Sequence, residues 1–345
     1  MKRLLHSSFT LLSFYILVAF LGIAPVASAD PAPAQGSFID EMSSEISKIF
    51  EAAAPAVVRI QTSSEDHNLS GTGFFIDSDG TILTSALVVG NANLCTVQMG
   101  DQKYPALVLS VDTRSGVAVL KTKQTHTPFL KLANSDDVKI ASGLVSVAYA
   151  YDRPVSPAFG TVAGFDVQFL NYYFATTHIR ANLPVQPGQI GGPLLNSKGE
   201  VVGMTVVAFK DGCYALPSNA ARRIVDEVIK YGQARHAWVG IGVKDSPAHV
   251  LCISNLYENT PAATSGIQIG DQVLKIGNRV IKSPSDILDA AFFARVGEKL
   301  PVEIVRNGKT LTFEFELTER PDNSRSVTPV LTPQGPQTMQ VKGQQ

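Results

Sequence analysis

Apolar positions recur at two different spacings along the chain, and the changes between them mark its organisation. From Phe38 to Ala53 the residues Ile39, Met42, Ile46, Ile49, Phe50 and Ala53 return at helical intervals, and the pattern stops before Pro55. From Ala56 to Pro217 it changes to short β-branched runs separated by Gly, Asp, Asn and Pro, which predicts an all-β barrel domain. The runs are residues 57–62, 72–76, 81–84, 94–98, 106–111, 117–123, 144–149, 159–165, 200–209 and 213–216, and their number suits two six-stranded barrels. Helical spacing returns from Asn219 to Tyr231 through Ile224, Val225, Val228 and Ile229, with Ser218 or Asn219 placed as the cap. A smaller α+β unit follows, with a helix over residues 285–293 and a hairpin over 302–317 that turns at Asn307-Gly308.

The two ends read differently. Lys2 and Arg3, an apolar run over residues 9–23 and Ala27-Ser28-Ala29 together predict a secretory signal peptide at 1–29. A flexible Ala- and Pro-rich leader is expected at 30–37, the first domain at 38–235 and the second at 236–320. Residues 321–345 hold too few apolar side chains to build a core and read as a disordered tail. No run after the leader reaches membrane-spanning length. Of 345 residues, 45% are hydrophobic and 17% charged; the net charge is −1, and loss of Lys2 and Arg3 takes it to −3. With no basic patch, a nucleic-acid partner is not expected. Cys95, Cys213 and Cys252 lack metal-site spacing, so neither a metal nor a cofactor is implied. They allow one disulfide, such as Cys95 with Cys213, or three free thiols.

Candidate chemistry centres on Pro187-Gly188-Gln189-Ile190-Gly191-Gly192-Pro193-Leu194-Leu195-Asn196, followed by Gly199-Glu200-Val201-Val202-Gly203. Glycines at 188, 191 and 192 permit backbone turns that aim successive N–H groups at one point, as an oxyanion hole requires. This stretch resembles the nucleophile loop of trypsin-like serine proteases, and more closely that of the HtrA/Deg family. Ala215-Leu216-Pro217-Ser218-Asn219 resembles the entry to that family's closing helix. On this resemblance Ile190 stands at the serine position, and Gly188, Gln189 and Ile190 form the oxyanion-hole-like loop. The phrase Gly80-Thr81-Ile82-Leu83-Thr84-Ser85-Ala86-Leu87-Val88-Val89 places Leu87 at the histidine position. Asp112-Thr113-Arg114-Ser115-Gly116-Val117-Ala118-Val119-Leu120-Lys121 places Gly116 at the aspartate position. None of the three has the chemistry of the Ser-His-Asp triad. The expectation is therefore a member that is not an enzyme, with Leu87 and Ile190 in contact. His67, His126, His178, His236 and His249 are expected on surfaces or loops.

The second unit resembles a PDZ domain of the HtrA kind. Its marks are Trp238-Val239-Gly240-Ile241, Asn259-Thr260-Pro261-Ala262-Ala263 and the run from Gly266 to Ile276. A PDZ domain adds a peptide strand to a sheet edge and holds its terminal carboxylate on backbone N–H groups. Trp238, Val239, Gly240, Ile241, Val243, Ile287 and Ala291 are the expected peptide-binding residues. The resemblance implies a periplasmic protein that binds peptide segments or C-termini of other envelope proteins, as adaptor, holding chaperone or regulatory subunit. An active HtrA-like protease is an implied partner, and a homotrimer an implied assembly, with the 38–53 segment helping to hold it; a helix packed on its own domain is the other reading. The alternative function is an active serine endopeptidase of protein quality control with an unrecognised catalytic arrangement.

Overall fold

The computed structural model describes residues 37–63, 68–170, 172–245 and 250–321. The predicted signal peptide, residues 30–36 of the leader and 322–345 of the tail, with His67 and His249, lie outside them. The chain divides into two units, Met1–Glu41 and Met42–Gln345. In the first, Ser37 and Asp40 exchange side-chain-to-backbone hydrogen bonds (2.8–3.3 Å span the set with Ser37 O), a reciprocal cap that starts helix α1 (Phe38–Ala53). In the second, the remainder of α1 buries Ile49 and Ala53, with Ile46 and Phe50 packed beside them, in a cluster shared with Ile224, Val225 and Val228. This part of the helix therefore packs on its own domain.

Two closed barrels follow. The first orders its strands β1-β2-β3-β6-β5-β4, where β1 is Val57–Ser63, β2 Asn68–Phe75, β3 Thr81–Ser85, β4 Leu94–Met99, β5 Gln102–Asp112 and β6 Val117–Thr122. A single turn, α2 (Ala86–Val89), interrupts it after β3. The second runs β10-β11-β12-β9-β8-β7, with β7 Gly143–Tyr149, β8 Val155–Phe169, β9 Tyr172–Ala181, β10 Pro193–Leu195, β11 Val201–Phe209 and β12 Gly212–Pro217. All neighbouring strands within each barrel pair antiparallel where a register is given, so inward residues alternate and fill separate interiors. Val58, Ile60, Ile82 and Leu120 occupy the first, and Leu144, Ile179 and Leu194 the second. A third cluster, with Phe74, Leu83, Val147 and Met204, joins the barrels to helix α3 (Ser218–Tyr231).

The fold is mainly β, as expected, and two strands had no counterpart in the sequence pattern. β9 pairs with β8 in a long hairpin, and its stretch lacks the Gly or Pro punctuation that marked the other runs. β10 is three residues long and begins with Pro193, a residue confined to the ends and edges of strands. The expected cap of α3 also differs. Pro217 takes the N-cap position, Ser218 Oγ donates instead to Ala133 O (2.8 Å), and Asn219 Nδ2 donates to Asn134 Oδ1 (2.7 Å). Cys95 lies in the first barrel's core and Cys213 in the second's, and both are free, so the Cys95–Cys213 disulfide is not formed. Burial pushes their thiols up to about 11 and about 12.

The PDZ unit begins with β13 (Ala237–Trp238), which pairs with the final strand β20 (Thr318–Glu319). Its main sheet runs β14-β15-β16-β18-β19, from β14 (Ile241–Asp245) and β15 (Leu251–Leu256) through β16 (Gln272–Ile276) to the hairpin β18 (Lys299–Arg306) and β19 (Lys309–Glu316). β17 (Arg279–Val280) pairs on β16, while helices α4 (Pro261–Ser265) and α5 (Pro284–Phe293) complete the unit. A capping box between Ser283 and Asp286 starts α5.

Candidate functional site

In the glycine-rich loop the backbone carbonyls from 187 to 190 all have partners. Tyr151 N–H donates to Pro187 O (2.7 Å), Thr72 Oγ1 to Gly188 O (2.7 Å), Gly192 N–H to Gln189 O (3.1 Å) and Thr72 N–H to Ile190 O (2.9 Å). A trans peptide points its C=O and the next N–H in opposite directions, so these bonds also aim the N–H groups. Gln189 N–H donates to Gln186 O (3.0 Å) and Gly191 N–H to Thr205 O (2.8 Å). The N–H groups of Gly188 and Ile190 have no acceptor among the described residues. Of the three expected oxyanion residues, Gln189 thus bends away: its Oε1 also accepts from Gln186 N–H (2.7 Å), and its side chain is buried. Gly188 and Gly191 have φ of +93° and +85°, where a Cβ is disfavoured.

The neighbouring turn is tied to the first barrel. Arg59, buried on β1, donates to Tyr151 O (2.8 Å), Asp152 Oδ1 (3.0 Å) and Arg153 O (2.6 Å). This arginine and Thr72 carry no motif, and the sequence reading passed over both. A signal lay only in Arg59 standing at an apolar-patterned strand position.

Leu87 is the second residue of α2 behind the Ser85 cap, whose Oγ accepts from Leu87 N–H (3.3 Å), and its side chain is half-buried. Ile190 packs against the first barrel's core, which includes Val88 and Val89. Gly116 has φ of +76° and its carbonyl accepts from Ala86 N–H (2.9 Å), which brings its turn beside α2. Next to it is a buried polar cluster: Asp112 Oδ2 accepts from Ser115 Oγ (2.5 Å) and meets His236 Nε2 at 2.9 Å. Burial pushes the Asp112 carboxyl up, but His236, Ser115 and Arg114 N–H outweigh it and hold it below its ordinary value. The carboxylate stands between serine and histidine here, so the imidazole has no bond to this hydroxyl, unlike the order a charge-relay triad uses. His236 does lie in the loop between α3 and β13, but this carboxylate engages it there. His178 is neither a surface nor a loop histidine: it is buried on β9, stacked on Phe174 (4.1 Å between ring centroids), and burial pushes its imidazole down to about 4.

The expected PDZ residues divide into two roles. Val239 O accepts from Ala262 N–H (3.2 Å) and Gly240 O from Tyr257 N–H (3.0 Å), while the N–H groups of Val239 and Gly240 have no acceptor among the described residues. Among the described residues β14 pairs only with β15, which leaves its other edge open there. Ile241 and Val243 on β14 pack against the PDZ core together with Ile287 of α5, and Ala291 on the same helix is half-buried. The Val239 side chain is buried in that core, and Trp238 lies against Tyr257 (5.6 Å) and Arg320 (5.4 Å). Another face of α5 is anchored to the second barrel. Asp289 accepts from Thr176 Oγ1 (2.6 Å), Thr177 N–H (2.8 Å) and Thr177 Oγ1 (2.9 Å), and Phe292 belongs to the inter-barrel cluster. Among the described residues no group of His, Cys, Asp and Glu could hold a metal ion.

These features define a trypsin-like double barrel joined to a PDZ domain. Residues 71–204 match the trypsin-like peptidase domain model and residues 237–317 the PDZ domain model. This pairing of domains is that of the HtrA family, to whose members the chain is similar. A DegP-like periplasmic serine endoprotease of Pseudomonas putida strain GB-1 is 29% identical over 278 residues, covering 74% of this chain and 57% of the relative. One from Chlamydia trachomatis serovar D is 26% identical over 269 residues, covering 73% and 54%. The chain thus spans little more than half the length of these curated relatives. Among solved structures, the HtrA-type protease AlgW with tripeptide aligns with a TM-score of 0.72 at 21% identity, covering 80% of this chain and 97% of that one. The serine endoprotease from Yersinia pestis aligns at 0.64 and 23%, covering 80% and 98%. Both show the same fold.

The expectation that the chain is not an enzyme is corrected by these comparisons. The curated relatives are named as serine endoproteases and the solved neighbours as proteases, so the kinship points to a protease. Leu87, Gly116 and Ile190 identify side chains absent at three inferred positions and say nothing of groups elsewhere. The relatives are also named as periplasmic, and no helix among the described residues is long and apolar enough to cross a membrane.

Proposed function

We propose that this HtrA-family protein works in the periplasm by capturing C-termini or exposed segments of envelope proteins, with its PDZ groove as the primary peptide site. The observation that carries this reading is the open edge of β14 beside the unengaged N–H groups of Val239 and Gly240. A peptide adds there as a strand, its carboxylate on the two N–H groups and its last side chain among Ile241, Val243, Ile287 and Ala291. Gly188 and Ile190 offer a second N–H pair to a peptide carbonyl or carboxylate. Adaptor, holding chaperone and regulatory subunit are the roles such capture serves, in a homotrimer or beside an HtrA-like protease.

A second reading, serine endopeptidase of protein quality control, is favoured by the relatives' names and by a loop that keeps two N–H groups unengaged. Its nucleophile and base then come from residues other than Leu87, Gly116 and Ile190. Both readings are tested on one preparation. Trp238, the sole tryptophan, reports on the PDZ loop, so its fluorescence is titrated with an apolar-ended peptide bearing a free carboxylate and with its C-terminal amide. Capture through the carboxylate predicts saturable binding that amidation weakens at least about tenfold, since a charge-assisted bond is lost. Equal binding of acid and amide overturns that assignment. For the endopeptidase, cleavage of an unfolded protein has to persist through purification and disappear on a point change in this chain.

A further inference from the structure

The two N–H groups at Gly188 and Ile190 belong to the second barrel, yet what aims them comes largely from the first. Thr72 on β2 has no exposed surface. Its N–H donates to Ile190 O (2.9 Å) and its Oγ1 donates to Gly188 O (2.7 Å). The same Oγ1 accepts from Tyr149 N–H (3.0 Å), and Thr72 O accepts from Thr84 Oγ1 (2.7 Å). One residue thus holds alternate carbonyls of the loop, on either side of the peptide that carries the Ile190 N–H. Its hydroxyl gives one bond and receives one, and its rotor is fixed by both.

We infer that Thr72 is the positioning residue of this N–H pair, its hydroxyl locking the Gly188–Gln189 peptide plane so that Gly188 and Ile190 present their N–H groups to a carbonyl or carboxylate oxygen. This rests on the reading of Gly188 and Ile190 as an oxygen-binding pair. Gly188 has no side chain with which to hold its own plane, and its φ of +93° leaves neighbouring orientations open to it. Valine keeps the shape of threonine but strands the Gly188 carbonyl and the Tyr149 N–H. Serine keeps the hydroxyl and loses only a methyl group.

The test uses the full chain labelled with ¹⁵N at glycine and isoleucine, titrated with an N-acetylated apolar tripeptide that has a free C-terminus. In the native chain, shifts are expected at Gly188 and Ile190 and, independently, at Gly240 and Ile241. Thr72→Val should weaken the response at Gly188 and Ile190 about tenfold, the scale of one lost charge-assisted contact. The midpoint at Gly240 and Ile241 should stay unchanged, and Thr72→Ser should restore the barrel response. Where valine prevents folding, Thr72→Ala carries the same comparison. An undiminished barrel response in the valine or alanine variant overturns the inference, as does an equal loss at Gly240. A native chain that responds only at Gly240 and Ile241 refutes the oxygen-binding reading itself. Positioning is then judged by hydrogen exchange at Gln189 and Gly191: exchange faster by about tenfold with valine and normal with serine sustains it, and unchanged exchange refutes it.

Discussion

The loop at Gly188 and the loop at Gly240 present the same backbone device and anchor it in different ways. Each takes its carbonyls inward and leaves two N–H groups without an acceptor among the described residues. The Gly240 loop is held within its own domain, by Tyr257 N–H and Ala262 N–H. The Gly188 loop is held across two barrels, by Thr72 on β2 and by the turn that Arg59 fixes, with Thr205 on β11 taking the Gly191 N–H. A site held inside one domain survives movement of that domain, whereas a site shared between barrels is only as ordered as their contact. The proposed peptide capture at Gly240 is therefore expected to be robust, and the geometry at Gly188 to be conditional on the inter-barrel cluster.

The largest expected effect that tests this contrast is at Gly191. A Cβ there would overlap Thr72 O and Thr84 Oγ1, which belong to the opposite barrel, at a φ of +85°. Backbone cannot yield as a flexible side chain does, so Gly191→Ala should cost at least about 3 kcal/mol. Urea denaturation followed by circular dichroism measures it, and a loss under about 1 kcal/mol, within the range of ordinary substitutions, shows that the barrels move apart easily.

Acid should next separate the two regions. His178, on β9, is buried with its imidazole pushed down from 6.5 to about 4, and its Nδ1 lies 2.8 Å from Thr176 O. Asp289 on α5 pulls in the opposite sense without overcoming burial. The unfolded chain binds this proton from about pH 6.5 downward, while the folded chain resists until about pH 4. Stability is therefore full above pH 6.5 and falls as pH is lowered to about 4, by about 3 kcal/mol on this group's account. His178→Gln should flatten that window in urea melts at pH 7.5, 5.5 and 4. Trp238 binding at Gly240, four residues from the His236 that bonds Asp112, is compared with the Gly188 response over the same pH steps. An unchanged slope in the glutamine variant removes His178 as the cause.

What could be read from residues, and what could not, follows the same division. The PDZ loop and the glycine-rich loop were visible because glycines at positive φ leave a written mark, and the barrels because β-branched runs alternate with turn residues. β9 was hidden because neither glycine nor proline separates it from β8, only Leu170-Asn171, and β10 because three residues opening on proline make no pattern. Thr72 and Arg59 were hidden for another reason: their function lies in contacts 116 and 92 residues distant in sequence, which no local spacing encodes. Burial of His178 and the bond from His236 to Asp112 are likewise products of packing. The non-enzyme reading failed on the same limit, since it weighed three positions and the kinship of the whole chain weighed more.

Gly240→Ala gives a smaller effect than Gly191→Ala if the PDZ loop is self-contained. Its Cβ would overlap the Thr260 side chain at a φ of +80°. Thr260 yields little, because its Oγ1 donates to Tyr257 O (2.6 Å). A cost of about 2 kcal/mol follows from the left-handed backbone and the crowding together. It should appear in Trp238 fluorescence as a loosened PDZ transition, with the barrel amides at Gly188 and Ile190 unmoved. A shift at those barrel amides shows instead that the two loops are mechanically joined through α5.

Thr260→Ala gives the smallest change and isolates the anchor from the crowding. Thr260 is the N-cap of α4, its Oγ1 accepting from Ala263 N–H (3.4 Å) while Pro261 opens the helix. Losing a cap of this kind costs about 1 kcal/mol. It also frees the Tyr257 carbonyl, next to the N–H that holds Gly240 O. Alanine at 260 leaves both backbone anchors of the loop, Tyr257 N–H and Ala262 N–H, in place, so peptide affinity should change less than about threefold, under 1 kcal/mol. A much larger loss of affinity makes the threonine side chain, rather than the backbone, the element that aims the PDZ N–H groups. The Gly240 loop would then depend on one buried hydroxyl in the same manner as the loop at Gly188, and what distinguishes them would be only which domain supplies it.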